Sequence, residues 1–233
     1  KTFDYPNIFK KNFKAASMVS GNGMAHVYFE TKRGWGHRAL YEEILNEPVN
    51  IIDELLNRKE VDLLAMQGEG GCYHVLSRRG HGRFSVEEQS GRINYTLDGQ
   101  DPLGIFEKND ERLNQAFTLA SSMQQTLSTE YPDIFAQLWQ IFQSNRTGDI
   151  VVSARKGFDL RDRFECPQHF SGHGALHRDH MLVPFILNHH LPNPIGRSID
   201  VLPLIMKMCG KDYSSMGSTV TVPDPVSKNS SSP

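Results

Sequence analysis

The sequence predicts an α/β protein built on a mainly parallel sheet, with a small antiparallel β meander over about residues 61–98. Three observations predict it. Strand-like and helix-like segments alternate along most of the chain, the pattern of strand–helix–strand units. A run of short strands separated by Gly-bearing turns marks the meander. The chain has 233 residues, 38% hydrophobic and 22% charged, an ordinary globular composition with enough length to bury a core.

Ala25-His-Val-Tyr-Phe29 alternates and is β-rich, and it follows the turn signal Gly21-Asn22-Gly23, so it reads as a strand. Pro48 opens Val49–Leu56, whose apolar residues at 49, 52, 55 and 56 have helical spacing. Val61–Met66 is an apolar run read as a buried strand. Gly68-Glu-Gly-Gly71 then leads into three short strands, Cys72–Leu76, Gly82–Glu87 and Arg92–Leu97. Asn109–Leu127 carries a broad apolar face and reads as a helix. Pro132 starts a second helix, Asp133–Gln143, whose stripe Phe135/Leu138/Trp139/Phe142 belongs in a core. Gly148–Ser153 is a strand, and Met181–Leu187 another, placed at an edge or bulge by Pro184. Ile199–Met208 has helical spacing and stops at Gly210. Residues 214–233, rich in Ser, Thr and Pro, read as a loose tail after a domain spanning 1–213. The first segment, from Lys1, has no apolar signal-peptide core and looks cut.

The charge balance, 25 Lys+Arg against 27 Asp+Glu, gives no support for nucleic-acid binding. No run of about 18 apolar residues is present, so no membrane span is expected. Cys72, Cys166 and Cys209 are too few for a disulfide framework. The triplets Asn94-Tyr-Thr96, Asn145-Arg-Thr147 and Asn229-Ser-Ser231 do not settle the compartment, which stays unknown.

Chemistry concentrates in Gln168–His180, which holds His169, His173, His177 and His180. His173 lies between Gly172 and Gly174, where glycines let backbone approach a ligand and a loop imidazole beside a strand end is well placed to coordinate a metal. An exposed loop with incidental histidines fits the same residues.

The succession Gly148-Asp-Ile-Val-Val-Ser, Ser171-Gly-His-Gly174, Met181-Leu-Val-Pro-Phe and Gly196-Arg-Ser-Ile-Asp-Val-Leu-Pro203 resembles the C-terminal part of the alkaline phosphatase superfamily. It is most similar to the type I phosphodiesterase/nucleotide pyrophosphatase branch. Ala25–Phe29, the strand at Val61 with its Gly-rich hairpins, and Asp101-Pro-Leu-Gly104 agree with it, so the resemblance runs from about residue 18 to 210. It implies the C-terminal part of a three-layer α/β/α fold. It also implies that His173 is the last histidine ligand of one of two divalent metal ions, usually zinc, with Gly172 and Gly174 shaping its loop. The implied activity is hydrolysis of a phosphoric ester, of a small molecule or a nucleotide, through a covalent phospho-enzyme.

The superfamily's metal-binding Asp, its Ser/Thr nucleophile, its Asp-x-x-x-His pair and its Asp-His-Gly motif are absent; Asp179-His180 is followed by Met and lies after His173. One histidine cannot hold a catalytic metal that normally takes three protein ligands. The expectation is therefore a hydrolase portion inactive as an isolated chain, with catalytic residues unknown, no residue assigned to an organic cofactor, and the missing N-terminal part of the same protein as a partner. A non-catalytic scaffold or partner-binding relative is the alternative, and a sulfatase- or phosphomutase-like specificity a third. Gly68–Gly71 and Gly80-His-Gly82 read as hairpin turns, not phosphate loops. Arg78-Arg79 and Arg161-Asp-Arg163 read as solvated charge. Asp159 and Asp162 read as surface ion-pair partners or as supports for the His173 imidazole, while Asp149 and Asn22 read as turn residues.

Overall fold

The computed structural model describes residues 13–107, 117–161, 171–188 and 196–211. The chain forms two units, Lys1–Leu182 and Val183–Pro233. The first contains β1 (Ala15–Ser20), β2 (Met24–Phe29), α1 (Tyr41–Leu45), α2 (Ile51–Leu56), β3 (Val61–Gln67), β4 (Cys72–Ser77), β5 (Gly80–Val86) and β6 (Arg92–Gly99). It continues with β7 (Phe117–Thr118), α3 (Leu119–Thr126), α4 (Ile134–Phe142), β8 (Ile150–Ala154) and the helical turn α5 (Arg178–Met181). The second unit contributes a 3-10 turn, Ser198–Asp200, running into α6 (Val201–Met208).

One eight-stranded sheet has the order β1-β2-β8-β3-β4-β5-β6-β7. Every pairing in it is antiparallel, which overturns the mainly parallel three-layer α/β/α arrangement. The physical reason lies at the centre. β8 runs antiparallel to both β2 and β3, so β2 and β3 point the same way without touching. The strand–helix–strand pattern from residue 24 to 67 is thus a genuine crossover. The strand that fills its gap, Ile150–Ala154, arrives from much later in the chain and in the opposite direction. The expected meander is not a separate insertion either, because β3 to β6 continue the same sheet.

Alternation along the strands divides the core in two. Leu63, Ala65, Tyr73, Val75, Phe84, Tyr95 and Val151 face one side and pack with Phe135, Leu138 and Phe142 of α4. Leu64, Met66, Leu76, Ile150 and Val152 face the other, with Ile44 of α1 and Ile52 of α2. β3 and β8 are therefore apolar at nearly every position because both of their faces are covered.

The strands expected around Ala25, Val61, Cys72, Arg92 and Ile150 are present, and so are the helices after Val49, Pro132 and Ile199. Other expectations need correcting. Of Asn109–Leu127, residues 108–116 lie outside the described set, and Phe117–Thr118 pairs with β6 as β7. The Thr118 hydroxyl accepts from the backbone of Ser121, so the helix begins only after it. Residues 182–187 form no strand: Met181 closes a helical turn, and Val183 and Ile186 are 72% and 89% exposed. Gly80 and Gly82 belong to β5, and the hairpin turn is Arg78-Arg79. Gly82 is there because the Tyr95 ring lies across it, so close that a Cβ would stand 2.3 Å from the hydroxyl oxygen. Arg78 is not merely solvated, since it donates to the carbonyls of Leu56 (2.7 Å) and Asn57 (3.1 Å) at the end of α2.

Asp149 is more than a turn residue. Buried beside β8, it accepts from the backbone of Phe29 (2.6 Å) and of Ala39 (2.9 Å), tying the end of β2 to the approach to α1. Burial pushes its carboxyl above the usual range, and those two N–H groups and Arg38 oppose the shift. Arg38 lies alongside and donates to Gln67 Oε1 (2.6 Å), the Phe142 carbonyl (3.0 Å) and the Ser144 carbonyl (2.6 Å). Among the described residues, Cys72 and Cys209 are free thiols, and no helix is long and apolar enough to cross a membrane.

Candidate functional site

The β1–β2 turn, the end of β8 and the glycine-flanked histidine loop meet at one end of these neighbouring strands. The Ala154 N–H donates to the Gly23 carbonyl (2.8 Å), the Gly23 N–H to the His173 carbonyl (2.8 Å), and the Leu160 N–H to the Asn22 carbonyl (2.8 Å). One residue later in the loop, Gly174 takes φ 95°, and a Cβ there would stand 2.9 Å from the Ser20 carbonyl oxygen. Both facts demand glycine at this position.

Asn22 holds the arrangement together. Although it sits in a Gly-Asn-Gly turn, it is buried. Its Oδ1 accepts from the His173 N–H (2.5 Å), and its Nδ2 donates to the Ser171 carbonyl (2.9 Å) and to Asp159 Oδ2 (3.3 Å). The expected turn residue is a clamp on the histidine loop. Asn22→Ala is expected to lower stability by about 1–2 kcal/mol, since it removes both partners of a half-buried N–H and carbonyl. Urea melts measure that loss, and hydrogen exchange at residues 171–175 shows whether the loop is what loosens.

His173 is exposed, and its imidazole makes no hydrogen bond among the described residues. Asp159 is the ion-pair partner that the sequence allowed. Arg161 reaches its Oδ2 from Nη2 (2.6 Å) and its Oδ1 from Nε (3.0 Å). Those bonds, with the Asn22 amide, hold its carboxyl down at about 2. Asp162, Arg163, Cys166 and His169 lie outside the described residues. His180 accepts the Ala175 N–H on Nδ1 (3.1 Å), so in its neutral form the proton sits on Nε2. Burial lowers its pKa, and His177 and His173 push the same way. The His177 ring is buried with its centroid 4.3 Å from that of His180.

The fit to a metal is thus partial. His173 is exposed beside a strand end, as a ligand must be. Its Nδ1, however, packs on Gly21, where a Cβ would stand 2.8 Å away, which leaves Nε2 as the nitrogen for an ion. His180 has committed one nitrogen to a backbone amide and protonated the other, and Asp159 has both oxygens on Arg161. Among the described residues, no group of three or more His, Cys, Asp or Glu is placed to hold a metal ion. The sequence pointed to His173, and the structure brings Asn22, Asp159 and His180 beside it. His173 and His177 do not share a helical face, because the loop turns helical only at Arg178. The clamp role of Asn22 was missed because its partners lie 137–151 residues away. Compared with known proteins, the chain matches no family model, no curated protein and no solved structure, so the likeness to the alkaline phosphatase superfamily rests on motif order alone.

Proposed function

We propose that the chain is the C-terminal part of a metal-dependent phosphoric-ester hydrolase of the phosphodiesterase/nucleotide pyrophosphatase kind, inactive by itself. The observation that supports this reading most is His173. An accessible imidazole is carried on a Gly-His-Gly loop whose backbone is clamped from both sides by Asn22 and Gly23. That pre-organisation suits a metal ligand, which has to be held in place before the ion arrives. The metal, zinc by preference, would supply Lewis acidity toward a phosphoryl oxygen. This chain's part is to present His173, hold its loop through Asn22, and keep Asp159 ionised beside Arg161. Among the described residues, no group is placed to complete its ligand set.

Zinc binding measured by calorimetry, together with hydrolysis of bis-p-nitrophenyl phosphate, tests the reading on this chain and on a version extended upstream of Lys1. No turnover is expected from the 233-residue chain, with tight zinc binding only in the extended version. There His173→Ala is expected to weaken one zinc site by about 100-fold or more, in line with the loss of one of three or four ligands. Turnover by this chain alone would contradict the proposal, and zinc content unchanged by His173→Ala removes His173 from the ligand set. A second reading, a non-catalytic partner-binding scaffold, is favoured by β1. This strand lies at the sheet edge with Met18 64% exposed, the kind of edge that accepts another strand.

A further inference from the structure

Away from the histidine loop, a second set of ionisable groups collects on the sheet face that carries α1 and α2. Alternation puts Cys72 and His74 of β4 on that face. The two-residue hairpin Arg78-Arg79 sets a register with Leu76 opposite His81 and His74 opposite Arg83. On the next strand Asp98 stands opposite His81. His74 Nδ1 and His81 Nε2 are 2.8 Å apart. The Tyr41 ring of α1 stacks on the His74 imidazole at 4.0 Å and 16°, and its centroid is 5.4 Å from that of His81. Glu42, the next residue of α1, accepts the Glu69 N–H (3.0 Å) and places Oε1 3.6 Å from His74 Nε2.

Two obvious uses of this cluster fail. Gly68 packs onto His74 Nε2 and Cys72 Sγ, where a Cβ would stand 2.3 and 2.9 Å from them, so the space a metal ion needs is filled by backbone. The Cys72 thiol donates to the Glu69 carbonyl (3.1 Å), and burial pushes its pKa up, the opposite of what a nucleophilic cysteine needs. What remains is the contact between the two imidazoles. One hydrogen fits between nitrogens 2.8 Å apart. A single added proton can go to an outer nitrogen, His74 Nε2 beside Glu42 or the far side of His81 toward Asp98. A second leaves two N–H groups pointing at each other, next to the Arg83 guanidinium.

We infer that the Tyr41–His74–His81 stack is an acid-operated latch that holds α1 against the sheet while both imidazoles are neutral and releases it when they are protonated. The groups facing it are Tyr41 and Glu42 from α1, Cys72 from β4, Arg83 from β5 and Asp98 from β6, with Asp53 of α2 acting on Tyr41. Burial, then His81, lowers His74 from 6.5 to about 4, against an opposing pull from Glu42. Burial also lowers His81, against Asp98. The closed state therefore binds fewer protons than the open one. The latch's contribution is complete above pH 6.5 and is lost as the pH falls from there toward about 4. Within that window each proton taken up on opening raises the open fraction roughly tenfold per pH unit.

Amide exchange of Tyr41–Leu45, corrected for the intrinsic rate and followed alongside the imidazole nitrogen resonances, tests the latch on the 233-residue chain. Protection of α1 is expected to fall by roughly tenfold or more per pH unit through the window while the β8 amides stay protected. His81→Gln is expected to reduce that slope by removing one of the two titrating rings, with β8 again unaffected. Loss of protection in α1 and β8 together would show plain acid unfolding and overturn the latch. So would flat α1 protection while the imidazoles titrate, or an unchanged slope in His81→Gln. The wild-type titration is decisive even if the variant folds poorly.

Discussion

Replacing Asp101 by alanine is expected to destabilise the protein by about 4 kcal/mol, enough to leave a domain of ordinary stability close to unfolding. Asp101 is 4% exposed, and both of its oxygens are used twice. Oδ1 accepts from the Tyr95 hydroxyl (2.6 Å) and the Leu103 N–H (3.0 Å). Oδ2 accepts from the N–H groups of Ile105 (2.8 Å) and Phe106 (2.8 Å). A single buried carboxylate thus closes the loop that follows β6 and fixes the ring that covers Gly82. Alanine removes the acceptor that these four donors share, and all of the bonds but that of Ile105 are buried. Asp101→Asn is expected to recover part of the loss, because one carbonyl oxygen survives while the new NH2 faces two donors. Tyr95→Phe, which removes one donor cleanly, is expected to cost only about 1 kcal/mol. Urea denaturation of the three variants checks the order; a loss below about 1 kcal/mol in Asp101→Ala would mean that the loop is not held by this carboxylate.

Phe135→Ala is expected to cost about 3–5 kcal/mol. Phe135 is fully buried where α4 meets the sheet. Its ring meets Phe84 edge-on at 5.2 Å, Tyr95 at 4.9 Å and Phe117 at 5.2 Å, so it binds three strands to one helix. Phe135→Leu keeps most of the volume and is expected to lose less, since only the edge-to-face geometry goes. Thermal unfolding of both variants measures the difference. Equal and small losses in the two would show that the cavity collapses and that the aromatic cluster is not the keystone of this face.

The strands and helices were legible wherever an apolar pattern decided them. Val61–Met66 reads as a buried strand and is one, and the stripe at Phe135, Leu138 and Phe142 lies in the core. Strand order was not legible. Nothing local in Ile150–Ala154 says that it pairs with Met24–Phe29 on one side and Val61–Gln67 on the other. Pairing depends on complementary edges, and strand residues carry no mark of their neighbours. Met181–Leu187 misled because a short apolar run looks the same whether it is covered or exposed, and here Val183 and Ile186 face solvent.

The histidine loop was visible in sequence through its glycines. The partners that clamp it were hidden, because Asn22 lies in a motif that describes hundreds of ordinary turns. His74 and His81 escaped notice for a related reason. Each is an unremarkable strand residue, and only the hairpin register places them ring to ring. The available signal was the pairing of two strands across Arg78-Arg79, which turns a separation of seven residues into a hydrogen bond. Asp101 and Asp149 were silent because their partners are mostly main-chain N–H groups, which every residue but proline supplies.

The place of β8 also governs when the fold comes into being. As the chain emerges during synthesis, β3 to β6 can zip together from neighbouring hairpins, whereas β1 and β2 form only an isolated ribbon. The two halves stay unlinked until Ile150–Ala154 has been made and slides between them, joining residues that are more than a hundred positions apart. The last step of assembly is therefore long-range and slow, and it carries the entropy of closing a large loop. Until then two apolar strand edges, the inner sides of β2 and β3, wait open to any other strand in reach.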